Sequence, residues 1–136
     1  MAELTPGLTN DFSVTVAAEM TAAHLGSGTV GVLATPYMIA LMERASQQLA
    51  AAYLPDGQST VGVLVNVRHL AATPQGMDVR VHSELTAVDG RKLTFKVEAH
   101  DAAEKIGEGV HERFIVDLAR FRDRLERKRD GALKAQ

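Results

Sequence analysis

The chain has no cysteine and no tryptophan among its 136 residues. The first absence removes disulfides, a thiol nucleophile and thiolate-bound metal. With only 4% of residues aromatic, stacking platforms for nucleic-acid bases are not expected. No stretch approaches the roughly 18 consecutive apolar residues that a membrane span requires. The formal net charge of -2 offers no general attraction to a polyanion. The opening residues, "MAELTPGLTNDFSV", show no basic region followed by an apolar run. These absences lead to the expectation of a cytoplasmic protein with no nucleic-acid partner and no membrane association.

What is present is globular composition, 46% hydrophobic and 24% charged, which argues against disorder. A single domain over 1–136 is expected, with flexible ends at 1–10 and 131–136. No repeat, linker or low-complexity tract divides it.

Hydrophobic periodicity supplies the elements. Phe12, Val14 and Val16 alternate, which predicts a short strand over 12–17. "HLGSGTVGVLA", residues 24–34, reads as a flexible loop ending at Thr35-Pro36. There a threonine N-cap before proline would open a helix. Met38, Met42, Ala45, Leu49 and Tyr53 fall on one helical stripe, with Leu41 and Ala52 beside it. Pro55-Asp56-Gly57 ends the helix.

The period then changes to two. Val61, Val63, Val65, Val67 and His69 share one predicted strand face. Met77, Val79, Val81, Leu85 and Ala87 share another, and Leu93, Phe95, Val97 and Ala99 a third. A three-residue loop at 88–90 with Gly90 left-handed would pair Leu85 with Leu93 and Arg80 with Glu98. His82 and His100 would then face solvent. A last strand over 109–118 puts His111 and Arg113 on one face and Glu112 on the other. The charged stretch from 120 to 129 reads as a solvated amphipathic C-terminal helix. The order predicts an α+β fold, an antiparallel sheet curled around one long helix, with an exposed sheet face and edge that favour a homodimer.

Within that helix Glu43 flanks the apolar stripe, with Ile39 and Ala40 one turn before it and Ser46 and Gln47 one turn after. A carboxylate there serves as an edge charge or ion pair, or as a reactive group. Thr35 serves as an N-cap, and His69, in phase with four valines, as a hydrogen-bonded structural histidine. No HExxH or comparable spacing marks a metal site, and no GxGxxG or Walker lysine accompanies the glycine-rich loop.

Four strings, "LATPYMIALMERAS", "HLAATPQG", "LTAVDGRKLTFKVEAHD" and "IGEGVHERFIV", occur in order between about residues 30 and 121. They resemble the fluoroacetyl-CoA thioesterase family, a branch of the hotdog-fold thioesterases. The resemblance implies a hotdog fold and hydrolysis of a small acyl-CoA thioester, coenzyme A being part of the substrate and no other cofactor being needed. It assigns catalytic roles to Thr35, Glu43 and His69, a pocket-lining role to Gly62 and a site-proximal role to Arg113. Glu43 would attack the thioester carbonyl or activate water, His69 would carry the proton, and Thr35 would orient. Eight residues separate Thr35 from Glu43, about 12 Å of helical rise, so substrate, water or a partner subunit would have to lie between them. The aromatic-rich lid before the family's helix has no counterpart in "HLGSGTVGV", so fluoroacetyl specificity is not implied with the chemistry. A non-catalytic acyl-CoA-binding hotdog module is the alternative function.

Overall fold

A computed structural model describes residues 3–134. Five antiparallel strands form one sheet in the order β1-β3-β4-β5-β2. They are β1 (Thr9–Thr15), β2 (Gln58–His69), β3 (Asp78–Asp89), β4 (Lys92–Asp101) and β5 (Lys105–Asp117). A 3-10 turn (Ala18–Met20) and the short helix α1 (Ala22–Leu25) precede the long helix α2 (Thr35–Ala51), and α3 (Leu118–Lys134) closes the chain. Helix α2 touches all five strands, so the sheet curls around it. No helix among the described residues is long and apolar enough to cross a membrane.

The α2 stripe is the core. Met38, Leu41, Met42, Ala45 and Leu49 are buried against Val79, Val81 and Leu85 of β3 and Leu93, Phe95, Val97 and Ala99 of β4. Each of those strand residues follows the period-two pattern, because one face of the sheet packs on the helix and the other faces outward. Tyr53 and Ala52 lie past the helix end and outside this buried cluster.

Several sequence expectations are corrected. β1 begins at Thr9 and ends at Thr15 rather than covering 12–17, and β5 begins at Lys105 rather than at 109. Residues 24–34 are not wholly loop: His24 and Leu25 belong to α1, and isolated bridges tie Leu33 to Thr21 and Val32 to Pro74. Of the ends expected to be flexible, Thr9 and Asn10 lie in β1 and 131–134 in α3, while 1, 2, 135 and 136 lie outside the described residues. Helix α3 buries no side chain.

The β3–β4 hairpin turns on Gly90-Arg91, not on 88–90. Asp89 pairs with Lys92, and Gly90 takes a φ of +60° in the first loop position, where a tight turn favours glycine. The register also slips at Thr86, an extra residue whose hydroxyl donates to the Thr94 carbonyl. Leu85 therefore pairs with Phe95, and Arg80 with His100. The inward face survives because the difference from the expected register is two residues there. Ala87, beyond the bulge, turns out to solvent.

A second bulge changes β2. Gly62 pairs with Arg113 and Leu64 with Glu112, which leaves Val63 unpaired. Gly62 stands opposite the buried Arg113 and Val65 opposite the buried His111. Residues directly across a ladder share a face, so Gly62, Val65, Val67 and His69 face the helix side. Val61 instead lies opposite the exposed Phe114. The four valines expected on one face are thus split by the bulge.

Candidate active site

Helix α2 starts without a side-chain cap. Ala34 is the N-cap residue and Thr35 is the first helical residue, one position later than the expected cap. The approach is held instead by backbone bonds, Leu33 N–H to Thr73 O at 2.8 Å and Ala34 N–H to Met20 O at 2.9 Å. Pro36 suits the first turn, where its missing N–H costs nothing. The Thr35 hydroxyl is consequently free of capping and lies 2.7 Å from His69 Nδ1 at the end of β2.

The other ring nitrogen, His69 Nε2, is buried with no hydrogen-bond partner among the described residues. Burial pulls the His69 pKa below its ordinary value, against an opposing pull from the Ala71 backbone. The ring is therefore held neutral further into the acid range, with one nitrogen fixed and the other buried without a partner. Thr35 and His69 line a cleft of about 530 Å³ with Pro36, Val32, Ser27 and Ala22, and no aromatic side chain lines it.

Glu43 occupies a second group of residues, two turns along α2. Its carboxylate Oε2 is 3.9 Å from Arg113 Nη1, with the Glu43 side chain 40% exposed and that of Arg113 8%. A Cβ placed on Gly62 would stand 3.1 Å from Glu43 Oε2 and 3.2 Å from His111 Cε1. The absence of a side chain at 62 therefore leaves room for the carboxylate against β2. Arg113 is fixed by Nε donating to Thr60 Oγ1 at 2.7 Å and Nη2 donating to Thr60 O at 3.0 Å. Its Nη1 lies 3.1 Å from His111 Nε2, and His111 Nδ1 is 2.8 Å from the Leu64 carbonyl.

The structure thus brings Thr35 to His69 and brings Glu43 to Gly62 and Arg113. It does not bring the two groups into contact within one chain: Thr35 and Glu43 stand about 12 Å apart along the helix axis. Thr60 and His111 were not singled out from sequence as site residues. Alternation places His111 beside Arg113, but it does not reveal the bulge carbonyl and guanidinium that the imidazole joins. No cluster of metal-ligating side chains occurs among the described residues.

Comparison with known proteins gives a consistent result. The family model for "Fluoroacetyl-CoA-specific thioesterase" matches residues 16–119. A fluoroacetyl-CoA thioesterase of Streptantibioticus cattleyicolor is 42% identical over 97 residues, which cover 71% of this chain and 70% of that protein. A solved structure of the fluoroacetyl-CoA thioesterase FlK superposes with a TM-score of 0.88 at 34% identity, over 93% of this chain and 98% of that one. A Thermus thermophilus hypothetical protein, described as a thioesterase superfamily member, superposes with a TM-score of 0.89 at 30% identity over 100% of both chains. The match in sequence runs through both groups of site residues, and the match in structure runs through every strand around α2. The chain belongs to the fluoroacetyl-CoA-specific thioesterase family, within the hotdog-fold thioester hydrolases.

Proposed function

We propose that this protein hydrolyses a small acyl-CoA thioester to the free acid and CoA, with Glu43, His69 and Thr35 as its working groups. The observation that carries this reading is the 2.7 Å Thr35–His69 contact beside an unpartnered His69 Nε2. Thr35 orients the ring, and Nε2 exchanges a proton with the reacting groups. Glu43 acts on the thioester carbonyl, by direct attack or through a water that it deprotonates. The carbon–sulfur bond then breaks and the CoA thiolate departs. In the direct route a water next hydrolyses the acyl-Glu43 anhydride to the free acid and restores the carboxylate; in the other route the water attacks the carbonyl itself. In both, the proton released by that water passes through His69 to the thiolate. Backbone N–H groups of the first α2 turn and around Gly62 support the oxyanion. Arg113 braces the Glu43 carboxylate. Coenzyme A arrives as part of the substrate, and no further cofactor enters the scheme.

The acyl group is small, and the cleft gives fluorine no aromatic contact among its lining residues. This favours small acyl groups as a class over fluoroacetyl in particular. We place the enzyme in the cytoplasm with that substrate.

The active unit is a homodimer. β2 is an edge strand carrying Gly62 near its middle and His69 at its C-terminal end. Pairing β2 with the same strand of a second copy, about a two-fold axis at Asn66, matches inward-facing residues with inward-facing ones. The bulge at Val63 absorbs the odd residue, and Gly62 then stands opposite the partner's His69. In that arrangement Glu43 of one protomer faces the Thr35–His69 pair of the other.

The test is CoA release from a panel of acyl-CoA esters, acetyl, fluoroacetyl, longer and aryl, for the wild type and Glu43→Ala. The protein has no cysteine, so a thiol reagent reads product alone. Release from small esters that collapses in the variant is the expected result. Saturable binding without release above the blank would overturn the assignment and favour a binding module, while equal release by both proteins would remove Glu43 from the working groups.

A further inference from the structure

His111 is 1% exposed and lies at the centre of the Glu43 group, yet the hydrolysis described above does not use it. Its two ring nitrogens have different partners. Nδ1 is 2.8 Å from the Leu64 carbonyl, which only accepts, so Nδ1 carries a proton. Nε2 is 3.1 Å from Arg113 Nη1, which only donates, so Nε2 must be bare. One tautomer of the neutral ring satisfies both contacts, and the protonated ring would set two N–H groups against each other.

The two contacts end on separate parts of the site. The Leu64 carbonyl belongs to the bulge that turns Gly62 toward the Glu43 carboxylate. The Arg113 nitrogen is the one that lies 3.9 Å from Glu43 Oε2. Thr60 holds the other two guanidinium nitrogens, so with His111 the planar group is held at all three of its nitrogens.

We propose that His111 is a positioning residue for Glu43: as the neutral Nδ1–H tautomer it pins the β2 bulge with one nitrogen and, with Thr60, holds Arg113 in place with the other. This rests on the thioesterase reading for its consequence, though not for its geometry. The charged groups facing the ring are Arg113 on β5 and Glu43 on α2. Burial, the largest influence, lowers the His111 pKa, and Arg113 adds to that. The Leu64 bond and the Glu43 charge act in the opposite sense. The ring accordingly stays neutral below the pH at which an exposed histidine would charge.

Three variants separate the contacts. His111→Gln keeps an acceptor where Nε2 stands, His111→Asn keeps a donor where Nδ1 stands, and His111→Phe keeps only the ring shape beside Phe95. With the preferred ester, His111→Phe should lose about ten- to a hundred-fold in kcat, the scale of a misplaced reacting group, with KM changed far less. Gln should recover most of that loss. Nitrogen-15 spectra of the wild type should show the His111 proton on Nδ1 and the ring still neutral below the pH at which an exposed histidine charges. The Gln variant identifies the signal by its absence. A proton on Nε2 would overturn the proposal even if the Phe variant fails to fold. So would equal kcat losses in Phe and Gln, or an unchanged kcat in Phe. A wild type that releases no CoA would sink the thioesterase reading, while the spectrum still decides the tautomer and its two contacts.

Discussion

Thr35 has one polar contact on which its proposed role depends, the hydroxyl to His69 Nδ1 at 2.7 Å. Thr35→Val keeps the shape and removes that bond. The expected result is a kcat loss of about ten-fold or more, since the imidazole is no longer held in one orientation. Thr35→Ser should stay close to the wild type. Stability should fall by no more than about 1.5 kcal/mol, the usual net value of one hydrogen bond. Steady-state kinetics with a thermal melt checks both, and equal activity in Thr35→Val would reduce Thr35 to a helix-start residue. The sequence made Thr35 visible for another reason, because threonine before proline resembles a cap. Capping could not be told from a tertiary contact, since the choice depends on Met20 and Thr73 carbonyls that arrive from elsewhere in the chain. Glu43 was legible as a carboxylate flanking an apolar stripe. His111 was legible only as to its face.

At the scale of elements, two glycines of β5 set how closely its neighbours approach, α2 at one and β2 at the other. A Cβ on Gly107 would lie 2.5 Å from Met38 Sδ and 2.8 Å from its Cε, atoms of a flexible side chain on α2. A Cβ on Gly109 would fall on the Asn66 carbonyl oxygen and 2.5 Å from Val67 Cα, which are backbone atoms of β2. The methionine can yield and the strand cannot. Gly109→Ala should therefore lie at the upper end of the roughly 1–3 kcal/mol that overpacking costs, and Gly107→Ala below it. Urea unfolding of the two variants gives the order, and the reverse order would mean that β2 moves more freely than its pairing with β5 implies. Gly109→Ala should also lower activity, because β2 carries both Gly62 and His69. The strands and α2 were readable from period-two and helical patterns, which follow from burial alone. The bulges at Val63 and Thr86 were not, because an extra residue preserves composition and alters only the hydrogen-bond count. That is why the valines of β2 read as one face and the hairpin as a longer loop.

The whole molecule raises the question of where a complete site lies. One chain holds the Thr35–His69 pair and the Glu43–Arg113 pair about two helical turns apart, on a helix that cannot shorten. β2 leaves its outer edge unpaired along the same span, and Val65, on the helix side, remains 41% exposed. In the dimer proposed above, a second copy paired through β2 would cover that edge and supply the missing half of each site. This arrangement makes a sharp demand on mixtures of inactive variants. Glu43→Ala and His69→Ala should each be inactive alone as homodimers. After unfolding together and refolding, half of the dimers are mixed, and each mixed dimer contains one site with Glu43 from one chain and His69 from the other. Activity should return to about a quarter of the wild-type value for random pairing of equal amounts. A site contained within one chain gives the opposite result, because every site in the mixture then lacks either its carboxylate or its imidazole. Sedimentation of the refolded mixture establishes whether dimers have formed, so recovered activity reports shared sites and persistent inactivity in a dimeric sample assigns both halves to a single protomer.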